Sequence, residues 1–155
     1  MPNIELLEKS TPTAPIRIVA LAGCQDLAKE VDKKLVKFRK ELAAKKKPST
    51  IPQGYSLPSF LVDSEIIRFG TGEGKGYIKE SVRGTDLFIM VDITNYSLTY
   101  KVCGHENHMS PDNHYQDLKR IIAACGGKAR RITVIMPFLY ESRQHKRSAR
   151  ESLDC

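Results

Sequence analysis

With 155 residues, 41% of them hydrophobic and 28% charged, the chain has the size and composition of one globular domain with its own apolar core. No apolar run is long enough to span a bilayer, and the opening M-P-N-I-E-L-L-E-K lacks the basic-then-apolar order of a secretion signal, so a cytoplasmic protein is expected. A net charge of +7 suits an anionic partner, either nucleic acid or a phosphorylated small molecule. The basic residues are spread over Lys45-Lys46-Lys47, Arg130-Arg131 and residues 143–150 rather than gathered with aromatics, which ranks a nucleic-acid module low. Cys24, Cys103, Cys125 and Cys155 show no CxxC spacing and are expected as free thiols.

Residues 1–15 hold three prolines and little pattern, so a loose arm is expected. Residues 16–22, I-R-I-V-A-L-A, read as a first strand buried on both faces. Gly23-Cys24-Gln25 turns the chain, and Asp26 is the expected side-chain cap of a helix running to about Ala44. Leu27, Val31, Leu35, Phe38 and Leu42 recur at helical spacing and predict its buried face. The three lysines that follow read as a solvated helix end, where cations are favourable. Residues 45–58, with Pro48, Pro52 and Pro58, predict a loop.

Residues 66–92 are the most distinctive stretch. Glycine stands at every second position from Gly70 to Gly76, between strand-like runs at 60–69, 77–82 and 86–91. Glycines so placed bring backbone close to another group, because no Cβ intervenes. Residues 95–112 read as a long polar loop. Ser110-Pro111-Asp112 then opens a helix that should bury Tyr115, Leu118, Ile121, Ile122 and Cys125 and stop at Gly126-Gly127. Residues 131–137 are the last clear strand, 138–146 a loop, and 148–155 the expected start of a further helix. This order predicts an α/β fold with a mainly parallel sheet flanked by helices, and a ligand site outside the carboxyl ends of its strands.

The chemistry is narrowed by what the motifs lack. Lys75 precedes Gly76 and no Ser or Thr follows it, so the glycine turn is not a P-loop. A strand rather than a helix follows the glycines, so it is not a dinucleotide fingerprint. Cys103, His105, His108 and His114 gather soft and imidazole ligands, but their spacing matches no standard zinc pairing. Asp92 closes a strand, where it could face a ligand or cap the next turn. Arg143-Gln144-His145-Lys146-Arg147 follows a strand's carboxyl end, and its guanidinium and ammonium donors suit phosphate.

Several separated segments, in order, resemble the N-terminal half of the ribose-phosphate pyrophosphokinases. Phe69-Gly70-Thr71-Gly72-Glu73 is similar to the family's F-x-N/D-x-E loop, Glu80-Ser81-Val82-Arg83-Gly84 to its E-S-V-R-G turn, and Ser110-Pro111-Asp112-Asn113 to its N-D-N helix start. Ser142-Arg143-Gln144 resembles its Y-A-R-Q, and Arg147-Ser148-Ala149-Arg150 its R-S-A-R. The resemblance implies a phosphoribosyltransferase-like N-terminal domain over residues 1–155. Phe69, Thr71 and Glu73 would hold the base and ribose of ATP, and Arg143 and Gln144 would contact ATP, the arginine through phosphate. Ser81, Arg83 and Arg150 match positions that bind phosphate or nucleotide effectors between subunits in regulated members. Magnesium, ATP and ribose 5-phosphate are the implied ligands, with a homo-oligomer as the assembly and nucleotide biosynthesis as the setting. No catalytic residue is assigned within these residues, and no metal ligand.

Thr71 stands where the family has Asn or Asp, Glu141 replaces a tyrosine, and His145 replaces an aspartate. Residues 45–58 and 95–109 resemble insertions. The family's pyrophosphate and acidic ribose-phosphate loops have no counterpart in the sequence, so a truncated chain lacking the C-terminal domain is expected. The implied reaction moves the pyrophosphoryl group of Mg·ATP to the 1-hydroxyl of ribose 5-phosphate. The alternative implied by the substitutions is a non-catalytic regulatory subunit of the same fold.

Overall fold

A computed structural model describes residues 12–153. The amino-terminal eleven residues of the expected arm, and Cys155, lie outside the described residues. The elements are β1 (Ile16–Ala20), α1 (Gln25–Ala44), a 3-10 turn (Pro48–Thr50), β2 (Ser64–Arg68), β3 (Gly74–Ile78), β4 (Asp86–Met90), β5 (Thr99–Val102), β6 (His105–His108), α2 (Pro111–Ala124) and β7 (Arg131–Ile135).

β1, β4 and β7 form a parallel sheet in the order β1-β4-β7, with Ile18 opposite Phe88 and Phe88 opposite Thr133. Residues 60–62 extend it as a short parallel bridge: Ile18 N–H donates to Phe60 O at 2.8 Å and Val62 N–H to Ile18 O at 2.8 Å. Asp32, buried on α1, fixes this extension by accepting from Phe60 N–H at 2.7 Å and Ser59 Oγ–H at 2.8 Å. At the sheet's amino end, Arg131 is spoken for by buried Asp86, its register partner, with Nε 2.9 Å from the carboxylate. One of the basic clusters therefore holds two strands together.

Strand alternation sends side chains to two cores. Val19, Leu87 and Ile89 face Leu118, Ile121 and Cys125 of the α2 layer. Ile18 and Met90 face Cys24 and Ala28 of the α1 layer, with Phe88 packed beside them. The expected α/β architecture, a parallel sheet with helices on its two faces, is what the chain forms.

Several local expectations are corrected. Asp26 does not cap α1. Cys24 is the N-cap residue and makes no side-chain cap bond, while Asp26 sits inside the first turn and pairs with Lys29 at 3.0 Å. Leu27 is exposed, because the helix seats itself through Cys24 and the small Ala28, one residue round from it. On α2, Ser110 does cap the helix, accepting from Asn113 N–H, and Gly126 and Gly127 end it at φ +56° and +65°. Its buried face runs His114, Asp117, Leu118, Ile121 and Cys125, which turns Ile122 outward. Strand β3 begins at Gly74 rather than Tyr77, and residues 148–153 form no helix. Within the expected polar loop, residues 99–108 form an antiparallel hairpin instead.

Candidate functional site

β2 and β3 pair antiparallel, Arg68 opposite Gly74, and the turn between them carries Phe69, Thr71 and Glu73. Phe69 N–H donates to Glu73 O at 2.9 Å and Gly72 N–H to Phe69 O at 2.9 Å. Gly72 takes φ +91°, a conformation that side chains disfavour. The three predicted side chains stand at the surface, Phe69 with 47% of its area open to solvent. The bond recorded between them runs from Thr71 Oγ1 to Glu73 Oε2, at 3.4 Å, which leaves the carboxylate and the aromatic face open to a ligand.

The remaining glycines answer the question their alternation raised. Gly74 and Gly76 share one face of β3, which lies on α2. A Cβ at Gly76 would stand 2.7 Å from Arg120 O and 3.1 Å from Ile121 N. The close approach is therefore strand backbone to helix backbone, and it positions the turn without touching a ligand.

Arg68, which sequence reasoning left without a role, is the hub of this region. Its guanidinium pairs with the carboxylate of Asp117, buried on α2, reaches Gly72 O at 3.4 Å, and lies 4.7 Å from the centre of the Tyr100 ring. Arg120 shares Asp117 at 2.7 Å. A cleft of about 230 Å³ opens beside Arg68 at the carboxyl end of β1, lined also by Ala20, Gln25, Tyr100, Met109 and Asp117. No sequence-predicted site residue lines that cleft.

The second predicted group lies on the loop after β7. Glu141 adopts φ +67° and accepts from Gln144 N–H at 2.8 Å. Both ends of the Gln144 amide are occupied, its Nε2 by the Glu141 carboxylate and its Oε1 by Ser152 Oγ–H at 2.9 Å. Arg143 is exposed, with no hydrogen bond or ion pair recorded among the described residues. Tyr140 anchors the loop: its hydroxyl donates to Asp112 and its ring meets Tyr115 edge-on at 5.5 Å. The bond to the Asp112 carboxylate, helped by partial desolvation and that negative charge, pushes the Tyr140 hydroxyl up to about 12.

No hydrogen bond or ion pair among the described residues joins the Phe69 turn to Arg143 or Gln144. Ser81 and Arg83 lie on the turn entering β4, at the sheet's amino end, where Arg83 N–H donates to Ser81 Oγ at 3.4 Å. They are therefore at the opposite end of the sheet from Arg143, which follows β7. Arg150 is exposed on the closing segment. The suspected metal constellation does not form: among the described residues no three His, Cys, Asp or Glu side chains come together as metal ligands. His114 is instead buried against Asn95 O at 2.7 Å, and His108 Nδ1 meets Tyr96 O at 3.0 Å. Asp92 accepts from Thr94 Oγ1–H at 3.3 Å, the turn-capping option. Cys24, Cys103 and Cys125 are free, and burial raises the thiol pKa of Cys24 and Cys125. No helix among the described residues is long and apolar enough to cross a membrane.

Comparison with known proteins gives this arrangement its context. The chain is 32% identical over 112 residues to ribose-phosphate pyrophosphokinase 1 of Schizosaccharomyces pombe, an alignment covering 64% of this chain and 24% of that protein. The chain thus spans about a quarter of the curated relative it matches. Phosphoribosylpyrophosphate synthetase from Mycobacterium smegmatis superposes at a TM-score of 0.49 with 22% identity, covering 90% of this chain and 35% of that one. Residues 16–155 match the family described as the N-terminal domain of ribose phosphate pyrophosphokinase. Since that match takes in both sheet and helices and runs from β1 past Arg143, the chain belongs to the ribose-phosphate pyrophosphokinase family and carries its N-terminal domain.

Proposed function

We propose that residues 16–155 form the ATP-contacting N-terminal domain of a ribose-phosphate diphosphokinase. That enzyme transfers the pyrophosphoryl group of Mg·ATP to the 1-hydroxyl of ribose 5-phosphate and releases AMP. The observation that carries the reading is the solvent-facing turn of Phe69, Thr71 and Glu73, held by backbone bonds inside a chain that matches the family's domain. An aromatic face suits a purine, and a carboxylate acceptor suits its amino group or the ribose hydroxyls. Arg143, unpaired and projecting from the loop after β7, suits the triphosphate, since a guanidinium binds two phosphate oxygens at once.

Pyrophosphoryl transfer depends on positioning and charge neutralisation rather than on a protein nucleophile. Arg143 would offset charge that builds on the phosphates. Magnesium would arrive as part of Mg·ATP, as substrate. Gln144 would join only after releasing Glu141 and Ser152, so its contact is coupled to a local rearrangement of residues 141–152. Ser81, Arg83 and Arg150 would serve effector binding in a homo-oligomer. The position of Ser81 and Arg83 at the far end of the sheet suits a role separate from chemistry.

The test is ribose 5-phosphate-dependent AMP release by the protein in which this domain resides. Activity is expected there and not in the 155-residue chain alone. Arg143→Ala should lower kcat by about a hundredfold, the scale of one lost transition-state donor. The competing reading, a non-catalytic regulatory subunit, draws on the substitutions at Thr71, Glu141 and His145, to which the internally engaged Gln144 adds. It predicts ATP binding without AMP release.

A further inference from the structure

The β5–β6 hairpin occupies residues for which the family resemblance supplies no role, and it contributes little to either core. β6 is exposed along its whole length, and β5 alternates exposed with half-buried residues. Its tip touches the Phe69 turn. Cys103 and Gly104 occupy that tip with φ +48° and +82°, the two positive values of a type I′ two-residue hairpin turn. Cys103 N–H then donates to Gly70 O at 2.7 Å, in the middle of the Phe69 turn. Val102 fills the space beside Gly72, where an added Cβ would meet its Cγ2 at 3.2 Å. Two residue pairs further back, the Tyr100 ring lies 4.7 Å from the Arg68 guanidinium, which itself reaches Gly72 O at 3.4 Å and is held by buried Asp117. The exposed turn is gripped from the hairpin side by Val102 and Cys103 and from the helix side by Arg68.

We infer that the β5–β6 hairpin and Arg68 form a brace that preorganises the turn of residues 69–73 for the base end of ATP. Tyr100, Val102 and Arg68 are positioning residues in this arrangement. They set nucleotide affinity by fixing Phe69, Thr71 and Glu73 before the nucleotide arrives, without contacting it. This rests on the reading of that turn as the base site. The physical reason is that a ligand binding a mobile surface turn must order it, and a turn ordered in advance removes that cost from binding. Stacking on Tyr100 also restrains Arg68, whose long side chain would otherwise sample many rotamers.

The test compares Tyr100→Leu, Tyr100→Phe, Val102→Ala and Phe69→Ala with the unaltered chain. Amide hydrogen exchange is read at Phe69 and Gly72, and the affinities of ATP and inorganic tripolyphosphate are read by calorimetry. Tyr100→Leu should speed exchange at both amides by about tenfold and weaken ATP by about tenfold. Tripolyphosphate affinity and exchange in β4 should stay unchanged. Tyr100→Phe keeps the ring face and should restore both values. Val102→Ala leaves the hairpin's hydrogen bonds in place and should weaken ATP in the same direction, which guards against a misfolded Tyr100 variant. If Phe69→Ala weakens ATP while Tyr100→Leu and Val102→Ala leave it unchanged, the brace is wrong and the base-site reading stands. If Tyr100→Leu frees the turn amides and Phe69→Ala leaves ATP affinity unchanged, the base-site reading fails and takes the brace's role in binding with it.

Discussion

Asp117 sits between Arg68 and Arg120, so one buried carboxylate offsets two guanidinium groups at the base of the candidate site. Such a cluster is a poor source of net stability but a strong source of geometry, since each partner loses its hydration and keeps only one arrangement that satisfies it. Nothing local in the sequence marks Arg68, because its meaning depends on a residue 49 positions away. Phe69, Thr71 and Glu73 could be read as candidates because a contiguous motif, similar to the family's, states them. Tyr140 offers a residue-scale check of the Arg143 loop. Its hydroxyl donates to Asp112, and ionisation would set two anions against each other, so its pKa is pushed up to about 12 from an ordinary value near 10. A proton held more tightly in the folded state gives a contribution that is whole below about pH 10 and is lost as pH rises through 12. Titration followed at 295 nm should show one of the six tyrosines ionising last. Tyr140→Phe should remove that step, and a late step surviving the substitution would show that the anchor is elsewhere.

The elements themselves were largely readable. The parallel strands announced themselves as apolar runs, Ser110 as a cap, and Gly126-Gly127 as a stop. The β5–β6 hairpin was not readable, because His105, Glu106, Asn107 and His108 carry no apolar alternation and no core selects a face for them. Its turn signal is a single Cys-Gly pair. The alternating glycines were legible as a close approach, but not which of them makes it or its partner: Gly76 meets the α2 backbone, while Gly70 has open space. That assignment predicts different outcomes at neighbouring glycines. Gly76→Ala drives a methyl into Arg120 O and should cost about 1–3 kcal/mol, the usual scale of overpacking. Gly70 has open space around its Cβ direction and no positive φ, so Gly70→Ala should stay within about 0.5 kcal/mol. Urea unfolding of the two variants measures the contrast, and equal losses would mean that β3 does not lie on α2 as described.

Across the whole molecule, the sheet divides the surface by strand polarity. The loops after β4 and β7 lie at its carboxyl end, one leading into the β5–β6 hairpin and the other carrying Arg143, while Ser81 and Arg83 sit at its amino end. The expectation of a ligand site beyond the carboxyl ends follows from topology alone. The proposed division of labour between a base-binding turn and a phosphate-binding loop rests on the family resemblance and on the exposure of Phe69 and Arg143. The net charge of +7 agrees with an anionic ligand but does not locate it, since Arg131 and Arg68 are already committed to buried carboxylates. The central claim is that ATP lies with its base at Phe69 and its phosphates at Arg143. It is tested most directly by titrating ATP and tripolyphosphate into the unaltered chain, Phe69→Ala and Arg143→Ala. Phe69→Ala should weaken ATP by about tenfold and leave tripolyphosphate unchanged, whereas Arg143→Ala should weaken both. ATP affinity unaffected by Phe69→Ala, or tripolyphosphate affinity unaffected by Arg143→Ala, would contradict it.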